Sequence, residues 1–177
     1  RSLGFGLGKG RRYQPFVGVV ARWLKSLGVI DSFRVEPVGR NRKEYEVRVK
    51  RSSTSAEVLI TDVGVGVSQI LPVVVQSFYA DPGSTVILEQ PEIHLHPRVQ
   101  SEIADVLIEA AKINRVQFIV ESHSEHFLRR LQRRVAEGQL TRADVALYFC
   151  EPTDGRSRIE ELKVDESGNI ANWPRDF

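Results

Sequence analysis

Two short apolar runs, Thr85-Val86-Ile87-Leu88-Glu89 and Val116-Gln117-Phe118-Ile119-Val120, flank a segment whose apolar residues recur at helical spacing. Val99, Ile103, Val106, Leu107 and Ala110 make the apolar stripe, and Glu102, Asp105 and Glu109 make its wet face. Runs of this kind are strands covered on both faces, and strand, helix, strand over this length is a βαβ unit with parallel strands and a right-handed crossover. Parallel strands end on a common edge. Glu89 to Glu92 and Glu121 to His123 therefore converge there, where open α/β sheets bind ligands.

Further elements surround this unit. Pro15 falls in a helix's first turn, and Phe16, Val19, Val20, Trp23, Leu24 and Leu27 form a stripe closed by Gly28. Residues 44–50, Glu-Tyr-Glu-Val-Arg-Val-Lys, alternate with period two, so Tyr45, Val47 and Val49 are expected to face inward. With Phe33 to Val38 and the turn Gly39-Arg40-Asn41-Arg42 they make an antiparallel hairpin. Ser122 and Glu125 have capping-box spacing ahead of a helix carrying Phe127, Leu128, Leu131 and Val135 and ended by Gly138. Val145 to Phe149 and Arg158 to Val164 read as strands, and Asp165 to Asn169 as a turn.

An apolar run ending in a carboxylate at a strand's C-terminal end has the pattern of a Walker B strand, whose acid positions magnesium beside a nucleotide's phosphates. Glu89 is that acid. Upstream, Gly64 and Gly66 open a helix, where unobstructed amides and the helix dipole favour an anion; a tight turn is the plain alternative. Pro72 should kink that helix or push its start later. All four histidines, His94, His96, His123 and His126, fall in one short region, but H-x-H on a turn before Pro97 is an unspecific metal pattern, and loop or packing roles fit better. The opening Gly-Phe-Gly-Leu-Gly-Lys-Gly lacks the G-x-x-x-x-G-K-[ST] spacing of a phosphate loop, and no such sequence occurs in the 177 residues. Methionine is absent even from position 1, so a fragment is expected.

Thr61-Asp62-Val63-Gly64-Val65-Gly66-Val67-Ser68-Gln69-Ile70-Leu71-Pro72, then Val86-Ile87-Leu88-Glu89-Gln90-Pro91-Glu92-Ile93-His94-Leu95-His96-Pro97, then Phe118-Ile119-Val120-Glu121-Ser122-His123-Ser124-Glu125 stand in fixed order. In that order they resemble the C-terminal half of the ABC-type ATPases of prokaryotic AAA-labelled proteins. These are similar to the overcoming-lysogenisation-defect nucleases and, more distantly, to the structural-maintenance-of-chromosomes (SMC) ATPases. A subgroup with a Glu-Gln-Pro-Glu box and a C-terminal Asn-Trp-Pro, here Asn172-Trp173-Pro174, matches best, over about residues 13–177. The resemblance implies an α/β fold: a partial ATPase lobe with a mostly parallel sheet flanked by helices and an antiparallel hairpin region near each end. Its expected divisions are a leader, helix and hairpin region over 1–61, the ATPase lobe over 62–150 and a C-terminal hairpin segment over 151–177.

The resemblance also implies site roles. Glu89 would hold Mg2+, Gln90 would stand where the catalytic glutamate polarises water, and Ile93 to His96 would be the D-loop. His123 would be the switch histidine on the γ-phosphate, and Gly64, Gly66 and Ser68, with His96, would contact ATP, the signature glycines from the opposite subunit of a homodimer. Two departures matter. Gly64 replaces a common serine, and Gln90, a neutral amide, orients water but cannot serve as a general base, so Glu92 or His123 must assist or hydrolysis is slow. Arg129, Arg130, Arg133 and Arg134 on one helix offer an effector protein or nucleic acid a contact, although a solvated face fits them better. A formal charge of +2, from 25 basic and 23 acidic residues, gives no global excess pointing to nucleic acid or membrane. One cysteine, Cys150, and no bilayer-length apolar run favour a cytoplasmic setting. The expected function is an ATP-gated dimer controlling an associated activity, in phage defence or a DNA transaction; the alternative is a non-hydrolysing scaffold.

Overall fold

A computed structural model describes residues 4–5, 14–39, 44–153 and 155–174. A short pair, β1 (Gly4–Phe5) and β2 (Gln14–Pro15), leads into α1 (Phe16–Ser26). The glycine-rich stretch between them lies outside the described residues. Strands β3 (Ser32–Val38), β4 (Glu44–Lys50) and β5 (Val58–Leu59) form an antiparallel sheet in that order, and α2 (Val65–Tyr79) follows. Next come β6 (Thr85–Glu89), α3 (Pro97–Asn114) and β7 (Gln117–Glu121), with β6 and β7 parallel. After α4 (Glu125–Ala136), β8 (Leu147–Thr153) and β9 (Arg156–Leu162) close an antiparallel hairpin. The protein is a mixed α/β chain with the parallel βαβ unit and antiparallel hairpins that its sequence indicates. It divides into two compact units, Arg1–Ser124 and Glu125–Phe177.

In the first unit α2 packs on α1, α3 and β6. Val20 and Leu24 of α1, Ile70, Val74 and Phe78 of α2, and Ile103 and Val106 of α3 are fully buried. Trp23 stacks on Phe78 at 6.5 Å, and Arg22 pairs with Glu109 to link α1 to α3. Buried Asn114 donates to the Phe78 carbonyl at 3.2 Å, satisfying a group at the end of α2. Pro72 does not push the start of α2 later; the helix runs through it from Val65. The missing amide and ring clash cost about 3 kcal/mol. Burial of Ile70, Val74 and Phe78, at roughly 1.5–3 kcal/mol each, outweighs that.

Two sequence expectations change. The β6–β7 pair is covered on one face, where Val86 packs with Ala80 and Val116 and with partly buried Leu88 and Phe118. The other face is open, Ile87 being 67% and Ile119 52% exposed. A continuous apolar run shows that both faces could be covered; only the surrounding chain decides whether they are. In the β3–β4 hairpin Val49, far from the turn, is buried but Tyr45, beside the turn, is 63% exposed. Strand β5, too short for a periodic signal, adds to β4 by pairing Val58 with Val49. The expected turn is described only at Gly39, its Arg40 to Arg42 lying outside the described residues.

In the second unit Phe127 and Val135 are the buried residues of α4, and Gly138, at φ 68°, ends it. The Ser122 hydroxyl does not act as the expected capping-box partner of Glu125: it accepts from Ser124 N at 3.1 Å and donates to Glu92. Strand β8 starts at Leu147, two residues later than expected, and extends to Thr153 because its whole length pairs with β9. The turn after β9 is organised by Asp165, which accepts from Asn169 N and Ser167 N, both at 2.8 Å, so its carboxyl sits below the usual range. Gly168, at φ 77°, lies so close to α4 that a Cβ there would meet Gln132 O at 2.1 Å.

Candidate functional site

The C-terminal ends of β6 and β7 meet at one edge, where Glu89 and Glu121 are register partners. The ladder goes one bond further, Gln90 N donating to Glu121 O at 2.9 Å. Gln90 then takes φ 44° and His94 φ 60°, left-handed values that are strained for residues with a Cβ. Two turn bonds, Ile93 N to Gln90 O at 3.1 Å and Leu95 N to Glu92 O at 3.2 Å, bring the chain to Pro97 and α3. Periodicity carries no signal for such a turn.

This tight path separates the two carboxylates of the box. Glu89 remains exposed, and among the described residues its carboxylate has no hydrogen bond or ion pair. Glu92 is only 6% exposed. Its Oε1 accepts from Ser122 Oγ at 2.8 Å and His123 N at 2.9 Å, while Oε2 is buried without a partner among the described residues. Glu92 therefore ties the turn after β6 to the segment after β7. Glu121 brings the remaining side chains together. Its Oε1 accepts from Gln90 Nε2 at 3.3 Å and lies 3.3 Å from His123 Nε2, and the His123 ring is 80% exposed. Sequence reasoning placed Glu121 on this edge but gave it no role, because a carboxylate after an apolar run carries no sign of its neighbours' side chains.

The glycine pair lies at the start of α2, with Gly64 as N-cap and, among the described residues, no side chain capping the helix. A Cβ at Gly66 would touch Leu95 Cδ2 at 3.6 Å, so this end of α2 abuts the turn after the box; a Cβ at Gly64 would meet no described residue within 4 Å. Ser68 Oγ donates to Val65 O at 2.8 Å, within its own helix. His96 caps α3, its Nδ1 accepting from Arg98 N at 3.3 Å. An open cleft of about 480 Å³ runs beside Glu89, Gln90 and Glu121, walled by Pro72 and Val73 of α2. His126 sits in the first turn of α4, in the other compact unit. Among the described residues no three His, Cys, Asp or Glu side chains gather as metal ligands. On α4, Arg129 pairs with Glu125 at 2.5 Å, and Arg133 and Arg134 pair with Glu137 at 2.6 and 2.5 Å. The Arg133 and Arg134 guanidiniums hold the Glu137 carboxyl below its ordinary range.

The family described as an AAA ATPase domain matches residues 19–128, a span that holds the glycine pair, the box and the His123 segment. The chain belongs to that family. Residues 140–177 match a second family, described as a protein of unknown function (DUF3696). No curated protein matches the chain in sequence. Among solved structures, one from work on ATP-driven dimerization and DNA-stimulated activation of SMC ATPases is similar at TM-score 0.63 and 16% identity, over 84% of this chain and 83% of that one. The Smc head bound to the C-winged helix domain of ScpA gives 0.60 and 15%, over 84% of this chain and 44% of that one. The Smc head of Pyrococcus furiosus, with an extended coiled coil, gives 0.57 and 15%, over 81% and 34%. The fold is that of an SMC-like ATPase head. The chain spans most of the first of these structures and less than half of the other two.

For an AAA ATPase domain the edge is chemically apt. Glu89 offers an unshared carboxylate, the hard oxygen donor that Mg2+ takes. The uncapped N-terminus of the 15-residue α2 offers amides and a positive dipole end to an anion. No described helix is long and apolar enough to cross a membrane.

Proposed function

We propose that this chain provides part of an ATP site that is completed in a homodimer and that gates an associated activity. Glu89 holds Mg2+, which neutralises phosphate charge when bound. Gln90 orients the attacking water, and His123 contacts the γ-phosphate. Gly64, Gly66 and Ser68, near the start of α2, with His96 nearby, face nucleotide held by the opposite subunit. Glu92, closed off from solvent, acts by holding Ser122 and His123 in place. The observation that carries this reading is the convergence of Glu89, Gln90, Glu121 and His123 on one edge. ATP-driven dimerization of an SMC ATPase with the same fold supports it. With a neutral amide at position 90 the turnover is slow and the ATP-bound dimer long-lived, which suits a gate on phage defence or a DNA transaction. The single cysteine supports a cytoplasmic setting.

Mass measurement of the intact protein tests this. ATP should double the mass, and Gly64→Asp, which places a carboxylate at the helix start where a Cβ would meet no described residue within 4 Å, should abolish the change. An unchanged mass with ATP in the unaltered protein sinks the proposal. A non-hydrolysing scaffold is the second reading, favoured by Gln90. Its arginine helix would then meet an effector or nucleic acid, although Arg129, Arg133 and Arg134 already have carboxylate partners. Steady ATP hydrolysis that falls with Glu89→Ala rules the scaffold out.

A further inference from the structure

We infer that Glu121, outside the Glu-Gln-Pro-Glu box, is the carboxylate that takes the proton from the attacking water; this rests on the nucleotide reading above. No residue of the box is placed to take that proton. Gln90 has no proton-accepting group at neutral pH. Glu92 is buried, with Oε1 holding Ser122 Oγ and His123 N. Glu89 is the proposed metal ligand, and a carboxylate bound to a cation is a poor proton acceptor. Glu121 stands beside Glu89 on the neighbouring strand with its side chain 52% exposed. Its Oε1 is approached by Gln90 Nε2 and His123 Nε2, each at 3.3 Å, while Oε2 has no hydrogen bond among the described residues.

The arrangement divides the task that one glutamate at position 90 would perform. By donating through Nε2, Gln90 leaves its own Oε1 to accept one O–H of the water. The other O–H is given to Glu121 Oε2. The water oxygen forms its bond to the γ-phosphorus while the bond from that phosphorus to the bridging oxygen breaks, and the electron pair leaves on ADP. One proton moves from water to carboxylate, and no redox partner is needed. Contacts of 3.3 Å are long for hydrogen bonds, as catalytic contacts are before substrate draws them in.

Glu121→Gln isolates the proton transfer, because a glutamine keeps an oxygen for Gln90 Nε2 and removes only the basic carboxylate. In the intact protein it should lower kcat by about 10²–10⁴ while leaving KM for ATP and ATP-driven association near the unaltered values. The relocated variant Gln90→Glu with Glu121→Gln should regain at least about tenfold over the single change, which a purely structural role for Glu121 would not produce. A kcat for Glu121→Gln within about threefold of the unaltered protein overturns the assignment, as does a double variant no faster than the single one. Association with ATP but no turnover in the unaltered protein also overturns it and leaves the gated dimer standing. Failure to associate at all removes the nucleotide reading itself.

Discussion

Helices α3 and α4 both begin just after a strand that ends at the candidate site, yet different forces hold them. Ile103, Ala104, Val106, Leu107 and Ala110 bury the stripe of α3, as its place between two parallel strands requires. α4 buries Phe127 and Val135, and its Arg129, Arg133 and Arg134 pair with Glu125 and Glu137. Apolar burial involves no titrating or screened charge, whereas ion pairs near the surface weaken with acid and with added salt. In the first unit Glu92, in the turn that leads to α3, holds Ser122 and His123 of the segment after β7.

That contrast sets the scale of expected effects. Ile103→Ala should be the most damaging, losing about 2–5 kcal/mol because a fully buried side chain leaves a cavity. A urea midpoint little changed would mean that α3 is not held by its stripe. Glu92→Ala should come next, at about 1–3 kcal/mol, since two donors lose their acceptor in a part-buried setting, while Glu92→Gln keeps an oxygen for them and should lose less. Equal losses for the two changes would break the idea of a tie. The smallest effect belongs to α4. The folded state holds Glu137 below its ordinary carboxylate range, through Arg133 first and Arg134 second, so its contribution is present at neutral pH and is lost as pH falls through that lowered range. Hydrogen-exchange protection in the last turn of α4, corrected for intrinsic rates, should drop with acid or added salt while the centre of α3 stays protected. A parallel loss in both helices would erase the distinction.

How far the chain could be read in advance follows the same division. The βαβ unit, α1, the two hairpins and the edge holding Glu89 to Glu92 and Glu121 to His123 come from periodicity, strand-like runs and the order of the motifs. Ser122 illustrates where local pattern fails. Its spacing to Glu125 is a capping box, but Glu92, thirty residues away, takes its hydroxyl instead. Pro72 shows the same thing energetically, since the burial around α2 outweighs a residue that disfavours the helix. Tyr45, Ile87 and Ile119 are apolar residues of strands and are nonetheless exposed.

By itself the sequence determined which segments are strands and helices, that β6 and β7 run parallel, and hence which residues share an edge; these follow from side-chain periodicity and from the reach of a chain through one crossover helix. Only the tertiary structure decided that Glu92 is enclosed, that Glu121 gathers Gln90 and His123, and that one face of the β6–β7 pair is open. Solvent exclusion and hydrogen bonds across some thirty residues depend on how whole elements pack, and no local stretch of amino acids encodes that alone.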